Sequence, residues 1–81
     1  MPMCYVKCIV EDGLIPSEKF VQIKTLEDGI AEVAVPSNLV SEGKVKAFFI
    51  GREDDRTLIE FPRESSAGKW RAWIDSTLVL S

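Results

Sequence analysis

Apolar and polar residues alternate over short stretches of this chain, and nowhere do apolar residues keep helical spacing for more than two turns. Alternation with a period of two is typical of β-strands, because successive side chains point to opposite faces of a sheet. β-Branched and aromatic residues are concentrated in the same stretches, which also favours strands. The pattern therefore predicts six strands, at residues 3–11, 19–25, 30–35, 45–50, 57–61 and 69–74.

Turn-forming residues lie between the predicted strands. Glycine adopts a positive φ at little cost, and Asp or Ser side chains can cap a bend. Such residues occur at Glu11-Asp12-Gly13, Glu27-Asp28-Gly29 and Glu42-Gly43, and again at 51–56 and 65–68. The sequence thus predicts an all-β protein, and 81 residues suffice for a single domain, 1–81.

The second half of the chain resembles the first when the two are aligned with small gaps. Val6-Lys7 aligns with Val45-Lys46, Val21-Gln22-Ile23 with Ile59-Glu60-Phe61, and 35–40 with 74–79. Few residues are identical, and chance similarity between two β segments is the alternative explanation. The alignment predicts an internal repeat with units 1–41 and 42–81.

A true repeat must keep the same positions on its buried face, because a shift of one residue exposes the whole face. Every position expected to face the core is apolar in both halves, and large and small residues exchange places. Trp70 is expected inside this core, so truncating it to alanine should cost about 3–5 kcal/mol, whereas Trp73 is expected outside. The predicted core residues are Cys4, Val6, Cys8, Val10, Val21, Ile23, Ala31, Val33, Val35, Val45, Ala47, Phe49, Ile59, Phe61, Trp70, Ala72 and Ile74.

Two similar segments follow the third and sixth predicted strands. Residues 36–40 and 75–79 each place a turn or capping residue before an apolar pair, which predicts a single 3₁₀ turn. The first, Pro-Ser-Asn-Leu-Val, resembles the closing motif of Src-homology-3 domains, with Leu39 where that family has an aromatic residue. The acidic-aromatic opening of the family is absent, so the resemblance implies barrel geometry and no ligand.

The expected fold is therefore a small six-stranded β-barrel, or a curled antiparallel sheet, built from two βββ-3₁₀ repeats of about forty residues. A five-stranded Src-homology-3-like barrel is the alternative. A chain this short has a modest core, which favours an oligomer or a partner.

The face opposite the predicted core is rich in apolar residues. A surface centred on Trp73, Phe48 and Ile50, with Tyr5 beside it and Arg71 at its rim, is typical of a protein interface. A second small core layer is the alternative. The apolar residues expected on this face are Tyr5, Ile9, Phe20, Phe48, Ile50, Leu58 and Trp73.

No motif in the sequence indicates catalysis. The chain has no His, no Ser in a nucleophile elbow and no phosphate-binding glycine loop, so we expect neither an enzyme nor a cofactor or metal site. The acidic turn Glu53-Asp54-Asp55 lacks the ligand spacing of a calcium loop. Cys4 and Cys8 would lie about 13 Å apart on one strand, too far for a disulfide, and are expected to be small core residues.

Charge and compartment limit the partners. The net charge of −3 opposes nucleic-acid binding, and the charge is uneven: 1–40 has three Lys against six acidic residues, and 41–81 has seven of each sign. The chain has no membrane-spanning stretch and no secretory pattern at its start, which predicts a cytoplasmic protein. Cysteine usage agrees with a reducing compartment.

The sequence predicts a non-enzymatic protein-interaction or assembly module that associates with itself or with a protein partner. The alternative is weak binding of single-stranded nucleic acid by a small barrel, because Lys69-Trp70-Arg71-Ala72-Trp73 interleaves cations with aromatic rings. With Trp70 directed inward, however, only one stacking surface would remain, so nucleic acid is the weaker hypothesis.

Overall fold

Two antiparallel β-sheets make up the protein in the computed structural model, which describes residues 2–80. No α-helix occurs in that range, so the prediction of an all-β protein is confirmed. Met1 and Ser81, the ends of the predicted domain, lie outside the described residues. The strands are β1 (Met3–Lys7), β2 (Ile9–Asp12), β3 (Glu18–Lys24), β4 (Ile30–Pro36), β5 (Val40–Ser41), β6 (Lys44–Glu53), β7 (Arg56–Glu60), β8 (Arg71–Asp75) and β9 (Val79–Leu80).

The larger sheet has the strand order β8-β7-β6-β1-β9, with β5 also paired to β6, and the smaller sheet has the order β2-β3-β4. The predicted first strand, 3–11, is therefore wrong in its extent. The chain leaves the larger sheet at Cys8, whose N–H donates to the carbonyl of Gly43 (2.9 Å), and enters the smaller sheet as β2.

Neither the six-stranded nor the five-stranded closed barrel is found among residues 2–80. Closure would require the outer strands β4 and β8 to pair with each other. Instead β4 meets the loop after β7, through an isolated bridge between Val33 and Ser65 and a bond from the Ser66 N–H to the Glu32 carbonyl (2.8 Å). The loop after β7 therefore occupies the position next to β4 at which a closed barrel would have a paired strand.

One hydrophobic core takes side chains from both sheets, as strand alternation predicts. Every predicted core residue except Trp70 is either buried or packed against the buried cluster. The buried apolar residues are Cys4, Val6, Val21, Ile23, Val33, Val35, Val45, Ala47, Ile59, Phe61 and Ile74. The partly buried predicted residues packed against them are Cys8, Val10, Ala31, Phe49 and Ala72.

Trp70 is 52% exposed, so its predicted place in the core is wrong. The predicted strand began at residue 69, but β8 begins at Arg71. The Trp70 carbonyl accepts a hydrogen bond from the Phe61 N–H (2.8 Å) at the end of the β7–β8 ladder. Because regular pairing stops there, alternation no longer directs the Trp70 side chain into the core, and Phe61 is the large buried residue at this position.

Both predicted 3₁₀ turns are confirmed, at Ser37–Leu39 and Ser76–Leu78. Asp75 caps the second turn, because its side chain accepts a hydrogen bond from the Thr77 N–H (2.9 Å). The first turn follows Pro36 and has no side-chain cap. Each turn leads into a two-residue strand: β5 pairs with β6, and β9 pairs with β1.

Candidate functional site

The outer face of the larger sheet carries the predicted interaction residues. On this face Leu58 of β7 is paired with Trp73 of β8, and Phe48 of β6 is paired with Met3 of β1. Of the seven side chains predicted on this face, Ile9 and Phe20 lie on β2 and β3 of the smaller sheet and not here. The structure brings the other five onto the larger sheet, together with Met3, which was not predicted. We call these six side chains the apolar belt: Met3, Tyr5, Phe48, Ile50, Leu58 and Trp73.

The apolar belt is separate from the hydrophobic core in the described part of the chain. None of its six side chains belongs to the buried cluster or to the residues packed against it. Met3 is 51% and Tyr5 36% exposed, and the other four are partly exposed. The alternation within the strands explains this, since the residues between them, such as Cys4 and Ile59, face the core.

A β-bulge positions Ile50. The β6–β7 register shifts between Phe49 and Gly51, so Ile50 is an additional residue on β6 with no partner in the ladder. A bulge interrupts the regular alternation, and glycine next to it is typical. Phe49 consequently packs against the core, while its neighbour Ile50, the belt residue without a ladder partner, stays partly exposed.

Cations contact the aromatic rings of the belt. The Arg56 guanidinium lies 4.6 Å from the centroid of the Trp73 ring, and the Lys46 ammonium lies 6.0 Å from the Tyr5 ring. Such distances allow cation–π attraction. Arg71, predicted at the rim, instead donates a hydrogen bond to Glu60 (2.9 Å), the residue paired with it on β7.

The charges around the belt are predominantly positive. Lys7 and Lys44 are paired across β1 and β6, so two cations lie at one end of the face. Strand registers place five cations against three carboxylates on this face, a difference of +2 in a chain whose net charge is −3. The cations are Lys7, Lys44, Lys46, Arg56 and Arg71, and the carboxylates are Glu53, Glu60 and Asp75.

The two cysteines are free thiols at the core. Cys4 is buried and Cys8 is partly buried. Burial raises the pKa of both thiols, that of Cys8 to about 11, because a thiolate is poorly solvated there. Both thiols are therefore protonated and weakly nucleophilic near neutral pH.

A second apolar feature, absent from the sequence predictions, is the loop 13–17 between β2 and β3. Leu14 is 87% and Ile15 56% exposed. A Leu-Ile pair inside a predicted turn was the signal that could have indicated it, since turns are normally built from Gly, Pro and polar residues.

The cavities are shallow surface grooves. One, of about 280 Å³, lies beside β1 and includes Thr57 and Ser76, whose hydroxyls share a hydrogen bond of 2.7 Å. Within residues 2–80, every buried side-chain N or O atom has a hydrogen-bond partner, and no three His, Cys, Asp or Glu residues cluster as metal ligands.

The described residues thus form an all-β protein whose larger sheet carries a partly exposed apolar outer face. Among the residues that the structure describes, there is no helix with the length and apolar character needed to cross a membrane. Comparison of the chain with protein-family models, with curated proteins and with solved structures found no match.

Proposed function

We propose that this protein is a non-enzymatic interaction module that associates with a second copy of itself through the apolar belt. The observation that carries the proposal is the uncovered belt, in which six apolar side chains lie on one sheet face and none packs into the core. Clustered exposed apolar residues are typical of contact surfaces, and Trp and Tyr are enriched where binding energy concentrates.

Charge favours a second copy as the partner. The belt is surrounded by an excess of cations, whereas residues 1–40 carry the negative charge of the chain, with three Lys against six acidic residues. These six carboxylates lie on β2, β3, β4 and the loop between β3 and β4, and not on the strands of the belt, so on one copy they can complement the basic surroundings of the belt on another. The small size of the domain also favours association, because a short chain buries a limited core on its own.

We also infer that the halves 1–41 and 42–81 are structural repeats. Equivalent positions of the sequence alignment pair in equivalent registers, and Val6 is paired with its own counterpart Val45 between β1 and β6. Each half ends in a 3₁₀ turn and a short strand that pairs with the first strand of the other half. The short strand β5 of the first half pairs with β6, and the short strand β9 of the second half pairs with β1. The supporting pairs are Val10–Val21 with Phe49–Ile59, Val21–Val33 with Ile59–Ala72, and Val6–Val79 with Val45–Val40.

The test replaces one tryptophan at a time. Trp73→Ser removes a belt residue and should weaken self-association at least about tenfold, measured by sedimentation equilibrium. Trp70→Ser is the matched control, because Trp70 is equally aromatic and 52% exposed but lies outside the belt. Equal effects of the two substitutions, with both variants folded by circular dichroism, would refute the proposal.

Weak binding of single-stranded nucleic acid is the second candidate, and the exposure of Trp70 favours it. The Trp70 ring is exposed and is flanked by Lys69 and Arg71, as in single-strand binders, while the Trp73 ring is partly exposed and lies against Arg56. Titration of tryptophan fluorescence with oligothymidylate at low and high salt tests this. Binding that weakens with salt and is lost in Trp70→Ala would support it, and unchanged fluorescence at low salt would exclude it.

A further inference from the structure

The loop 13–17 presents two apolar side chains at the tip of the β2–β3 hairpin. Leu14, at 87%, is more exposed than any other large apolar residue described. Ile15 follows it at 56%. Water contact on two adjacent aliphatic side chains is unfavourable, so such a tip is typical of a residue pair that is buried in an assembly.

The loop is held in one conformation. The Gly13 N–H donates to the Glu18 carbonyl, and the Glu18 N–H donates to the Ile15 carbonyl, each at 3.1 Å. A Cβ on Gly13 would lie 2.5 Å from the Glu18 carbonyl oxygen, so only glycine permits this approach. An ion pair between Lys19 and Asp12 (2.7 Å) closes the base of the hairpin. A preordered loop loses little conformational entropy when it binds.

The charges beside the loop are opposite in sign to those around the belt. Glu11, Asp12 and Glu18 flank it in sequence, Lys19 is paired with Asp12, and Arg63 lines the same groove as Ile15 and Glu18, so three carboxylates stand against two cations, a difference of −1. The belt face, counted by strand register, carries +2. Leu14 and Ile15 are therefore an apolar tip with acidic surroundings, and the belt is an apolar surface with basic surroundings.

We propose that the loop 13–17 of one copy docks on the apolar belt of the next, so that the chain assembles head to tail. The loop belongs to the smaller sheet and the belt to the larger, so a copy that uses its loop still has its belt free. Contacts between two different surfaces produce rings or open chains of copies. This inference rests on the proposed function and names the surface that meets the belt.

Mixing two variants tests the inference. The loop variant carries Leu14→Ser and Ile15→Ser, and the belt variant carries Trp73→Ser. Each alone should self-associate at least about tenfold more weakly than the wild type in sedimentation velocity. A mixture should form a complex of one copy of each, because one intact loop then meets one intact belt, but the complex should not grow further.

Ile30→Ser is the matched control, because Ile30 is 58% exposed on β4 and lies in neither surface. It should associate like the wild type. A loop variant that associates as strongly as the wild type would overturn the head-to-tail inference and leave the proposed function standing. So would two weakened variants that form no mixed complex. A wild-type chain that stays monomeric would overturn the proposed function itself.

Discussion

At the scale of single residues, Phe61 is the largest side chain that is fully buried, with 1% exposure. Phe61→Ala should lower the free energy of unfolding by about 3–5 kcal/mol, because it removes buried apolar surface and leaves a cavity. Trp70→Ala should lower it by less, about 1–2 kcal/mol, since about half of that residue stays in water. Urea unfolding of both variants measures the two free energies. Equal losses of stability would show that Phe61 and Trp70 are assigned to the wrong sides of the sheet.

The two tryptophans show where alternation along a strand stops predicting burial. Trp73 lies inside β8 and takes the outer face that its parity predicts. Trp70 has the parity of Ala72 and Ile74 but precedes the strand, so its burial depended on where the β7–β8 ladder ends. The β7–β8 ladder ends at the pair of Glu60 and Arg71. Where a ladder ends depends on the partner strand, so the alternation of residues around Trp70 did not predict it.

Cys8 gives a pH-dependent prediction. Burial raises its pKa from 9.0 to about 11, so in the folded protein the thiol stays protonated through pH 9 and ionises near pH 11. Alkylation by iodoacetamide at pH 7 should therefore be about a hundredfold slower than for a thiol with the unshifted pKa, and should rise steeply towards pH 11. Mass spectrometry with Cys4→Ala, which leaves Cys8 as the one thiol, measures the rate. A rate that levels off near pH 9 would contradict the burial of this thiol.

At the scale of the elements, the second 3₁₀ turn depends on its cap. Asp75 accepts hydrogen bonds from the N–H and the hydroxyl of Thr77, and these bonds lower the pKa of its carboxyl group. Asp75→Ala should therefore lower the melting temperature by about 2–6 °C at neutral pH. Because the folded pKa is lowered, this stabilisation is present above the unfolded pKa and is lost as the pH falls through the folded one.

The melting temperatures of wild type and Asp75→Ala should thus converge in acid. Asp55→Ala is the control, because the Asp55 side chain forms no hydrogen bond with residues 2–80, although its carbonyl accepts from the Ser76 N–H (2.8 Å). A difference between wild type and Asp75→Ala that persists at low pH would show that the carboxylate is not the cause.

The extents of the strands were predicted less well than their existence. The bend at Cys8, which splits the first predicted strand, has no Gly or Pro to mark it and depends on the bond to Gly43 from a distant part of the chain. The strands β5 and β9 are two residues long, too short for any alternation to be recognised. Both features are determined by pairing between the halves, which the local pattern does not encode.

At the scale of the whole molecule, the two halves are interlocked. The Leu26 N–H donates to the Trp73 carbonyl (2.9 Å), and the Ser66 N–H donates to the Glu32 carbonyl (2.8 Å), so a loop of each half is bound to a strand of the other. The sequence predicted a shared core correctly because burial follows residue parity. It predicted a closed barrel wrongly because closure depends on which sheet edges meet.

The candidate surface was predicted in part. Trp73, Phe48 and Tyr5 lie on one sheet face as expected from alternation, whereas Ile50 is part of a β-bulge, and Met3 and the loop residue Leu14 were missed. Met3 has the same parity as Tyr5 on the predicted first strand, so its place on this face follows from alternation. Leu14 belongs to the separate loop 13–17 and is exposed at the tip of the hairpin. The exposure of Leu14, by contrast, depends on the hairpin conformation and does not follow from alternation.

The most direct test of the account is the mass of the wild-type chain in solution, measured by sedimentation equilibrium from micromolar to millimolar concentration. An uncovered apolar belt predicts that the mean mass rises with concentration above the 9.1 kDa of a single chain. A mass that stays at this value over the whole range would contradict self-association through the belt.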